Sequence, residues 1–564
     1  MKNPVSVSTL CLLFVALACG VSYAQGPAAK PGILTNPNVN NAIHFDISQP
    51  LRELVKTQTV LAGEEEDHGV LLPKRALQQG FTASGRPVQQ AAAPQIVPLT
   101  PTAATVGVNV LGVGLGFHGY AVSDAPTDSN LAVGDTQVVA WDNVSYAVFN
   151  KGDGSYAAGP ILGNTLWAGF GGGCETSNSG DIIAQFDKVA HRWVLFQPKF
   201  TSPFLSCFAI STSADATGSY YRYSFPQAAG FPDYPKLGIW TNAYYQSNNV
   251  FNTALTAYLG AQPCAYERAK MLAGDPAARQ VCFLDNSNTT LFDDSMMPAD
   301  LDSENSLPPV GADEVYLGSI DNFASETHLY EYVFHVDWTN TANSTFTGVN
   351  GAMPISVSGA GPAFVGLCAF GSTACIPQKS TTALLDSLGD RLMYRLAYRR
   401  SATAHNNYQS WVISHSIANG STGAMRWYEF RAPIATPTAL ALYQGGTYAP
   451  DATYRFMGSL AMDQTGNILM GYSRSSSTLN PDIYFAGRLS TDLPLGTMGG
   501  ELPIVDQTVA TGSQPDTSSR WGDYTSMAID NDGCTFWYTD QYYTVTTKFS
   551  WSTRVASIRF PSCH

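Results

Sequence analysis

The sequence has few charged residues, and its basic residues form no cluster. Charged side chains make up 13% of the 564 residues, and 30 basic against 44 acidic ones give a net charge of −14. Surfaces that bind nucleic acid or anionic lipid group their lysines and arginines, so the sequence argues against both partners. The acidic balance would instead suit a cationic ligand or a bound cation.

Several motifs that define common enzyme and metal classes are also missing. No CxxC pair or Cys/His cluster has zinc-ligand spacing, and no contiguous Dx[DN]x[DN]G calcium loop is present. The glycine-rich GFGGGCETSNSG segment lacks the lysine of a P-loop, and there is no GxSxG elbow. Any chemistry must therefore come from residues that the fold brings together.

The first 24 residues are typical of a secretory signal. Lys2 precedes an apolar run over 10–18, and small residues at 22 and 24 would allow cleavage before Gln25. The alternative is a poor lipobox that ends at Cys19, which would carry a lipid anchor. No later stretch has the ~18 apolar residues of a membrane helix. We expect a secreted protein, extracellular or periplasmic.

Cysteine usage fits an oxidising compartment. Ten cysteines are present and eight follow the signal, an even number that suggests disulfides. Proximity along the chain suggests four pairs, although eight cysteines allow about a hundred connectivities. The suggested pairs are Cys174–Cys207, Cys264–Cys282, Cys368–Cys375 and Cys534–Cys563.

Aromatic residues and turn formers are abundant, at 12% aromatics with 50 glycines and 33 prolines. This composition favours an all-β globular fold. Residues 25–105 differ, being rich in Ala, Pro, Gln and Thr with little periodicity. We interpret them as a flexible leader or propeptide with a possible processing point at Lys74-Arg75, and a loosely packed N-terminal arm is the alternative.

From residue 106 to 564 one pattern recurs: a polar start, an apolar strand, a tight Asp/Asn/Gly turn and a second apolar strand. The seven starts lie 52 to 80 residues apart, at Asp128, Asp181, Asp233, Asp313, Asp390, Arg455 and Asp523. Propeller blades of four strands need about 40–50 residues plus loops. The repeat predicts an all-β, seven-bladed β-propeller with four-stranded antiparallel blades. Two packed β-sandwiches are the alternative.

Closure of the propeller is also predicted. The residues after Asp523 leave room for three strands, so the fourth would come from the N-terminal segment VGVNVLGVGLGFHGYAV. Such closure removes exposed sheet edges. A Cys534–Cys563 disulfide would tie the last strand to its own blade.

First strands line the channel of a propeller, so the hairpin starts should surround one channel mouth. Six carboxylates there need arginine or lysine partners, protonation or a bound cation, and calcium would suit such a ring. The competing interpretation is that each aspartate only caps a turn. The turn aspartates Asp135, Asp187, Asp321, Asp463 and Asp530 should be structural.

The last three blades carry the more specific hypothesis. An acid pair could supply general acid and base for glycoside cleavage, and arginines could bind a substrate carboxylate bidentately. The predicted catalytic residues are Asp523, Asp390 and Tyr524. The predicted ligand-binding residues are Arg391, Arg455, Arg520, Trp521, Asp128, Asp181, Asp233 and Lys236.

Two resemblances bear on this hypothesis. The arginines with Asp523 and Tyr524 resemble, loosely, sialidase-type (Asp-box) propellers, in which three arginines hold the substrate carboxylate while a Tyr and an Asp do the chemistry. The chain departs from them in having seven blades, no proper Asp-boxes and no Arg-Ile-Pro motif. The segments APTDSNLAVGD, FPDYPKLGIW, LDSLGDRLMYRLAYR and SRWGDYTSM look like an uncharacterised family of large secreted bacterial β-propeller proteins. That resemblance implies export and the propeller fold and transfers no catalytic residue.

We therefore expect a monomeric protein that recognises an extracellular carbohydrate at the channel mouth, with or without hydrolysis. The rival hypothesis is a non-catalytic extracellular or cell-surface interaction scaffold, stabilised by calcium or by ion pairs between blades. Solvent-accessible, converging Asp523, Asp390 and Arg455 would favour the enzyme. Burial of these groups in mutual contacts would favour the scaffold.

Overall fold

The computed structural model describes most of the chain after residue 31. The described residues are 32–58, 100, 102–123, 125–286, 293–320, 327–360, 374–389, 391–403, 406–435, 439–516 and 518–564. The predicted signal, the Lys74-Arg75 pair, Cys368 and Asp390 lie outside them. Within these ranges the fold is all-β, as predicted from composition, and none of the helices has the length and apolar character of a membrane span.

The described chain begins with an N-terminal arm over residues 32–58. It contains β1 (Gly32–Leu34), β2 (Asn38–Asn41), β3 (His44–Ile47), α1 (Leu51–Leu54) and a 3₁₀ turn (Val55–Thr57). A longer strand, β4 (Thr105–Gly114), precedes the first hairpin.

The next strands form three antiparallel sheets, which we name A, B and C. Sheet A contains β5 (Asn130–Val133), β6 (Gln137–Asp142), β7 (Ser145–Asn150) and β8 (Tyr156–Leu162). Sheet B contains β9 (Ile183–Asp187), β10 (Arg192–Lys199), β11 (Leu205–Ser211) and β12 (Tyr220–Pro226). Sheet C contains β13 (Phe231–Ile239), β14 (Tyr244–Phe251), β15 (Tyr258–Tyr266) and β16 (Arg279–Cys282). A 3₁₀ turn (Gly163–Trp167) and α2 (Gly172–Thr176) lie between sheets A and B, and α3 (Arg268–Ala273) lies between β15 and β16.

Strand groups D and E follow, and together with β1 of the N-terminal arm they form one ten-stranded sheet. Group D contains β17 (Asp293–Leu301), β18 (Glu314–Ile320), β19 (His328–His335), β20 (Thr345–Val349) and β21 (Pro354–Ser356), with 3₁₀ turns at Thr341–Asn343 and Ser358–Ala360. A short pair, β22 (Ala374–Ile376) and β23 (Leu385–Asp386), precedes group E. Group E contains β24 (Met393–Thr403), β25 (Asn406–Asn419), β26 (Thr422–Pro433) and β27 (Ala441–Tyr448). The two groups are joined because β17 pairs in parallel with β24.

Sheets F and G complete the chain. Sheet F contains β28 (Tyr454–Met462), β29 (Ile468–Ser476), β30 (Leu479–Arg488) and β31 (Leu502–Val505). Sheet G contains β32 (Ser526–Ile529), β33 (Thr535–Tyr543) and β34 (Trp551–Arg559). Its fourth strand is β4, which pairs antiparallel with β34. The fourth strand of sheet G is therefore a segment from the N-terminal side of the first hairpin.

The first strands of successive groups lie side by side. They contact one another in the order β5, β9, β13, β17, β24, β28, β32, and β32 also contacts β5. Apolar clusters fill the spaces between adjacent sheets: one spans sheets B to E, another E to G, a third A and B, and a fourth G and A. Because both faces of most strands are covered, runs such as β10 and β14 are buried almost throughout rather than at alternate positions.

The N-terminal arm is an integral part of three sheets. β3 adds a fifth strand to sheet B beside β12, β2 adds one to sheet C beside β16, and β1 adds one to group D beside β20. Arg222 on β12 also makes a bidentate ion pair with Asp46 on β3. Residues 32–58 are thus folded edge strands and their continuation, whereas the sequence interpretation treated 25–105 as a flexible leader or loose arm.

Three of the predicted disulfides are present. Cys174–Cys207 links α2 to β11, Cys264–Cys282 joins adjacent strands of sheet C, and Cys534–Cys563 ties the turn of the last hairpin to the C-terminus. Cys375 is disulfide-bonded, and its predicted partner Cys368 lies outside the described residues.

The fourth hairpin was assigned wrongly from the sequence. The pattern that begins at Asp313 is β18 and β19, the second and third strands of group D, so Asp313 lies away from the end where the first strands begin. The first strand is β17, whose DDSMMPADL sequence contains a proline and no β-branched residue. The hairpin pattern does not reveal β17 because this segment lacks the composition of a strand.

Candidate functional site

The first strands share an unusual backbone conformation where they begin. In groups A, B, C, D, F and G a non-glycine residue with positive φ occurs at this point. The φ values are 46° at Asp128, 49° at Asp181, 54° at Tyr234, 47° at Ser295, 54° at Met457 and 57° at Asp523. Three of the predicted aspartates therefore occupy equivalent positions, and in sheet C the equivalent residue is Tyr234 rather than the predicted Asp233.

Polar and aromatic side chains from five groups meet at this end of the molecule. We name them the entrance cluster: Asp128, Asp181, Asp233, Tyr234, Lys236, Arg391, Asp523 and Tyr524. All are buried except Asp233, which is half-buried. The structure thus brings together seven of the eleven predicted site residues, and adds Tyr234.

Lys236 is at the centre of the entrance cluster. Its Nζ lies 3.4 Å from the ring centroid of Tyr234 and 3.6 Å from that of Tyr524. The ammonium group also donates a hydrogen bond of 2.9 Å to the carbonyl oxygen of Pro235. A cation held against two aromatic rings is favourable when it is removed from water. The two rings consequently have one face each covered by lysine.

The tyrosines connect Lys236 to its neighbours. The Tyr524 hydroxyl donates a hydrogen bond of 2.9 Å to Oδ1 of Asp181. The Tyr234 hydroxyl donates to the carbonyl oxygen of Leu392 at 3.3 Å, and the Arg391 guanidinium lies 4.7 Å from the Tyr234 ring centroid. These contacts join sheets B, C and G and group E.

Burial shifts the protonation of this cluster. It lowers the pKa of Lys236 to about 7, with Asp181 as the strongest opposing charge. It raises the pKa of Asp181 to about 6, helped by the charge of Asp233 and opposed by Lys236. It also raises the pKa of Tyr524 well above its usual value, and Asp181 adds to that shift. Tyr524 therefore stays protonated at neutral pH and acts as a hydrogen-bond donor.

Asp128 and Asp523 have local partners. Oδ2 of Asp128 accepts a hydrogen bond of 3.4 Å from the backbone N–H of Asp181, and the N–H of Asp128 donates to the Gly522 carbonyl at 2.9 Å. Asp523 forms an ion pair with Arg520, whose side chain is 14% exposed. These bonds link neighbouring groups G, A and B.

Arg455 does not belong to the entrance cluster. It forms a bidentate ion pair with Glu501 at 2.9 Å and a second ion pair with Asp451. Arg474 on β29 binds Glu501 and Asp482 in the same network. The structure thus places the buried Arg455 among these carboxylates and apart from the other predicted site residues, and its ligand-binding role stays a prediction.

Trp521 is likewise a core residue. Its side chain is fully buried, its indole N–H donates to the hydroxyl of Ser473 at 3.0 Å, and its ring stacks on Tyr543. A ring enclosed in this way has no face for a sugar. Of the predicted catalytic pair, Asp523 is in an ion pair with Arg520 and Asp390 lies outside the described residues, so the pair stays a prediction.

Two of the turn aspartates stabilise their turns as the sequence indicated, and Asp321 lies outside the described residues. Oδ1 of Asp463 accepts hydrogen bonds from the backbone N–H groups of Thr465 and Asn467, both at 2.9 Å. Asp187 accepts from the N–H groups of Val189 and Ala190. Such bonds stabilise the turns themselves.

The described aspartates do not form a metal centre. Among the described residues, no group of three or more His, Cys, Asp or Glu is arranged to hold a metal ion. Lys236, Arg391 and Arg520 stand beside the aspartates where the calcium hypothesis would put a cation. Basic side chains thus supply, beside these aspartates, the positive charge that a bound calcium ion would have supplied.

A second charged cluster was not recognised from the sequence. It lies where the first strands end and contains Lys188, Asp300, Asp302, Arg395 and Arg399. Two arginines four residues apart on β24 were its only sequence signal, and β17, which contributes Asp300, had not been identified as a strand.

Comparisons with known proteins assign no family. No protein-family model matches the chain, and no curated protein does. Among solved structures it is similar to the N11 neuraminidase-like protein of influenza A/flat-faced bat/Peru/033/2010, with 8% identity, a TM-score of 0.31, and coverage of 70% of this chain and 97% of that one. It is similar to the phage phi92 endosialidase, with 8% identity, a TM-score of 0.35, and coverage of 80% and 69%. Drosophila Semaphorin 1b gives 8% identity, a TM-score of 0.33, and coverage of 83% and 89%.

Proposed function

We propose that the chain is a secreted, closed seven-bladed β-propeller that acts as a non-catalytic extracellular binding scaffold. The circular order of first-strand contacts and the pairing of β4 with β34 support the architecture. Three disulfides support an oxidising, extracellular location. Residues 32–58 and the propeller then form one folded unit.

The observation that carries the scaffold function is the engagement of the predicted catalytic groups in contacts between sheets. Asp523 is neutralised by Arg520, Arg455 by Glu501, and Tyr524 is held as a donor to Asp181. A nucleophilic tyrosine or a general acid needs a pKa near the working pH, and the pKa of Tyr524 is raised far above it. These contacts hold the blades together and engage those members of the predicted site that the structure describes.

A screen for glycan binding and polysaccharide hydrolysis tests this function. Wild type and the Asp523→Asn variant are compared, with Asp506→Asn, a turn aspartate bonded to Thr508, as the matched control. We expect no turnover by any of the three proteins and a lower melting temperature for Asp523→Asn. Hydrolysis by wild type and the control that Asp523→Asn loses would refute the scaffold.

Carbohydrate recognition at the entrance cluster is the second candidate, and hydrolysis would be its extension. Asp181 and Lys236 favour it, because their pKa values of about 6 and about 7 are those of groups poised to exchange protons near neutral pH. Half-buried Asp233 and Arg520 would meet the ligand first. Glycan-array binding by wild type that Lys236→Met abolishes and Asp506→Asn keeps would select this candidate. Equal binding by all three proteins would reject it.

A further inference from the structure

The second charged cluster lies at the end of the first strands opposite the entrance cluster. Lys188 follows β9, Asp302 follows β17, and Arg395 and Arg399 are on β24. Each of these side chains is at least nine-tenths buried. Five different groups contribute to its contacts, because Arg395 and Arg399 also reach the backbone carbonyls of Met527 on β32 and Met462 on β28.

Arg395 organises the two carboxylates of this cluster. Its Nε donates a hydrogen bond of 2.6 Å to Oδ2 of Asp300, and one terminal nitrogen pairs with Oδ1 of Asp302. Asp300 is further satisfied by Gln185 at 3.1 Å and by the backbone N–H of Ile239 at 3.0 Å. Asp300 and Arg395 are therefore saturated by protein groups.

Lys188 and Arg399 are not saturated in the same way. Among the described residues, the carboxylate that pairs with Nζ of Lys188 is Asp302, at 3.9 Å, which is beyond hydrogen-bond distance. Within the same ranges Arg399 donates to backbone carbonyls, those of Met462 at 3.0 Å and Asp302 at 3.5 Å. Burial lowers the pKa of Lys188 to about 8, so this ammonium group is still mostly protonated at pH 7.

The charges in this cluster are unequal. Lys188, Arg395 and Arg399 face Asp300 and Asp302, three cations against two carboxylates. Asp463 also acts on Arg399 from its own turn, so Lys188 is the cation of this cluster whose carboxylate partner lies beyond hydrogen-bond distance. An acceptor with negative charge would give its ammonium group a charge-assisted hydrogen bond.

Asp302 adds a requirement of the opposite kind. Its Oδ2 is buried and accepts no hydrogen bond from the part of the chain that the structure describes, although Oδ1 is engaged by Arg395. A ligand that satisfies the whole site must accept hydrogen bonds from Lys188 and Arg399 and donate one to Oδ2 of Asp302. Hydrogenphosphate has both acceptor oxygens and a proton to donate, whereas sulfate at neutral pH has no proton.

We propose that Lys188, Arg399 and Asp302 form a binding site for a protonated oxyanion of the hydrogenphosphate type, as the free ion or as a monoester that keeps one acidic proton. Asp302 provides the selection against sulfate, because an unprotonated oxyanion would place two negative oxygens together. The site is independent of the entrance cluster and of the function proposed for it.

Thermal unfolding of the full secreted chain with inorganic phosphate or sulfate at constant ionic strength tests this site. We expect phosphate at pH 7 to raise the melting temperature saturably by roughly 2–5 °C, since ligand binding to the folded state stabilises it. Sulfate should give only the gradual, unsaturated rise of a salt excluded from the protein surface. Lys188→Met should lose the saturable part, and Lys548→Met, at an exposed lysine, should keep it.

Equilibrium dialysis with radiolabelled phosphate provides a readout that does not depend on variants. One phosphate bound per chain, displaced poorly by sulfate, is the expected result. The proposal would be overturned if wild type bound no stoichiometric phosphate, or if phosphate and sulfate raised the melting temperature equally. Water would then be the partner of Lys188, Arg399 and Asp302. A saturable phosphate response in Lys188→Met equal to that of wild type would also overturn it.

Discussion

The Asp181→Asn substitution tests whether the entrance cluster holds a buried, partly protonated carboxyl. Asparagine keeps the shape of the side chain and an oxygen that can accept from Tyr524, and it does not titrate. Burial raises the pKa of Asp181 from 3.8 to about 6, and the charge of Asp233 adds to this shift. The substitution should therefore change how stability depends on pH more than stability at any single pH.

The sign and size follow from proton linkage. Between pH 3.8 and about 6 the folded chain keeps the Asp181 proton while the unfolded chain has lost it. Wild type accordingly loses stability as pH rises through this window. A shift of about 2.2 pKa units at about 1.36 kcal/mol each gives a loss of at most about 3 kcal/mol. The asparagine variant lacks this loss, so its free energy of unfolding relative to wild type should rise by that amount.

Urea unfolding followed by tryptophan fluorescence from pH 3.5 to 6.5 measures the difference. The series stops there because Lys236, whose pKa is lowered to about 7, loses its proton above that range. Asp506→Asn serves as a control of opposite sign, since hydrogen bonds from Thr508 lower the pKa of Asp506. A difference between Asp181→Asn and wild type that is constant or falls with pH would refute the buried-acid interpretation.

Three further predictions concern the scaffold. Arg455→Met should lower stability by about 1.5–3 kcal/mol in thermal unfolding, because Glu501 loses a bidentate partner and keeps only its bonds to Arg474 and Tyr472 among the described residues; an unchanged melting temperature would contradict this. Cys534→Ser should cost about 2–4 kcal/mol, and reductant should then have less effect on the variant than on wild type. Deleting residues 25–58 should lower the urea midpoint and speed proteolysis, since three sheets lose an edge strand; equal midpoints would show that the arm adds no stability.

The sequence predicted well those parts of the fold that repeat locally. The first hairpin of sheet B and the three final strands follow from apolar runs and tight turns, and three disulfides follow from proximity. The strands β1, β2 and β3 could not be predicted in this way. They are three or four residues long, and their partners lie more than 170 residues away. Such pairing depends on a finished sheet edge rather than on local pattern.

The site was predicted less well because offsets of one or two residues decide which side chain occupies the strand entrance. Arg455 is the second residue of β28 and looks equivalent to the aspartates, yet the equivalent residue is Met457, and Arg455 binds Glu501. In sheet C the equivalent of Asp181 is Tyr234, one residue after the predicted Asp233. Only the register of the first strands separates these positions, and composition does not encode it.

Aspartate recurs where the first strands begin because the backbone conformation there favours it, whatever its carboxyl group contacts. Asp128, Asp181 and Asp523 adopt φ between 46° and 57°, a left-handed conformation that aspartate tolerates better than most residues. Tyr234 and Met457 hold the same conformation without a carboxyl group, so the fold requires the turn and not the charge. A functional role must therefore rest on what each carboxyl contacts. By that measure Asp181, which joins Tyr524 and acts on Lys236, is the residue at which the binding and scaffold hypotheses diverge.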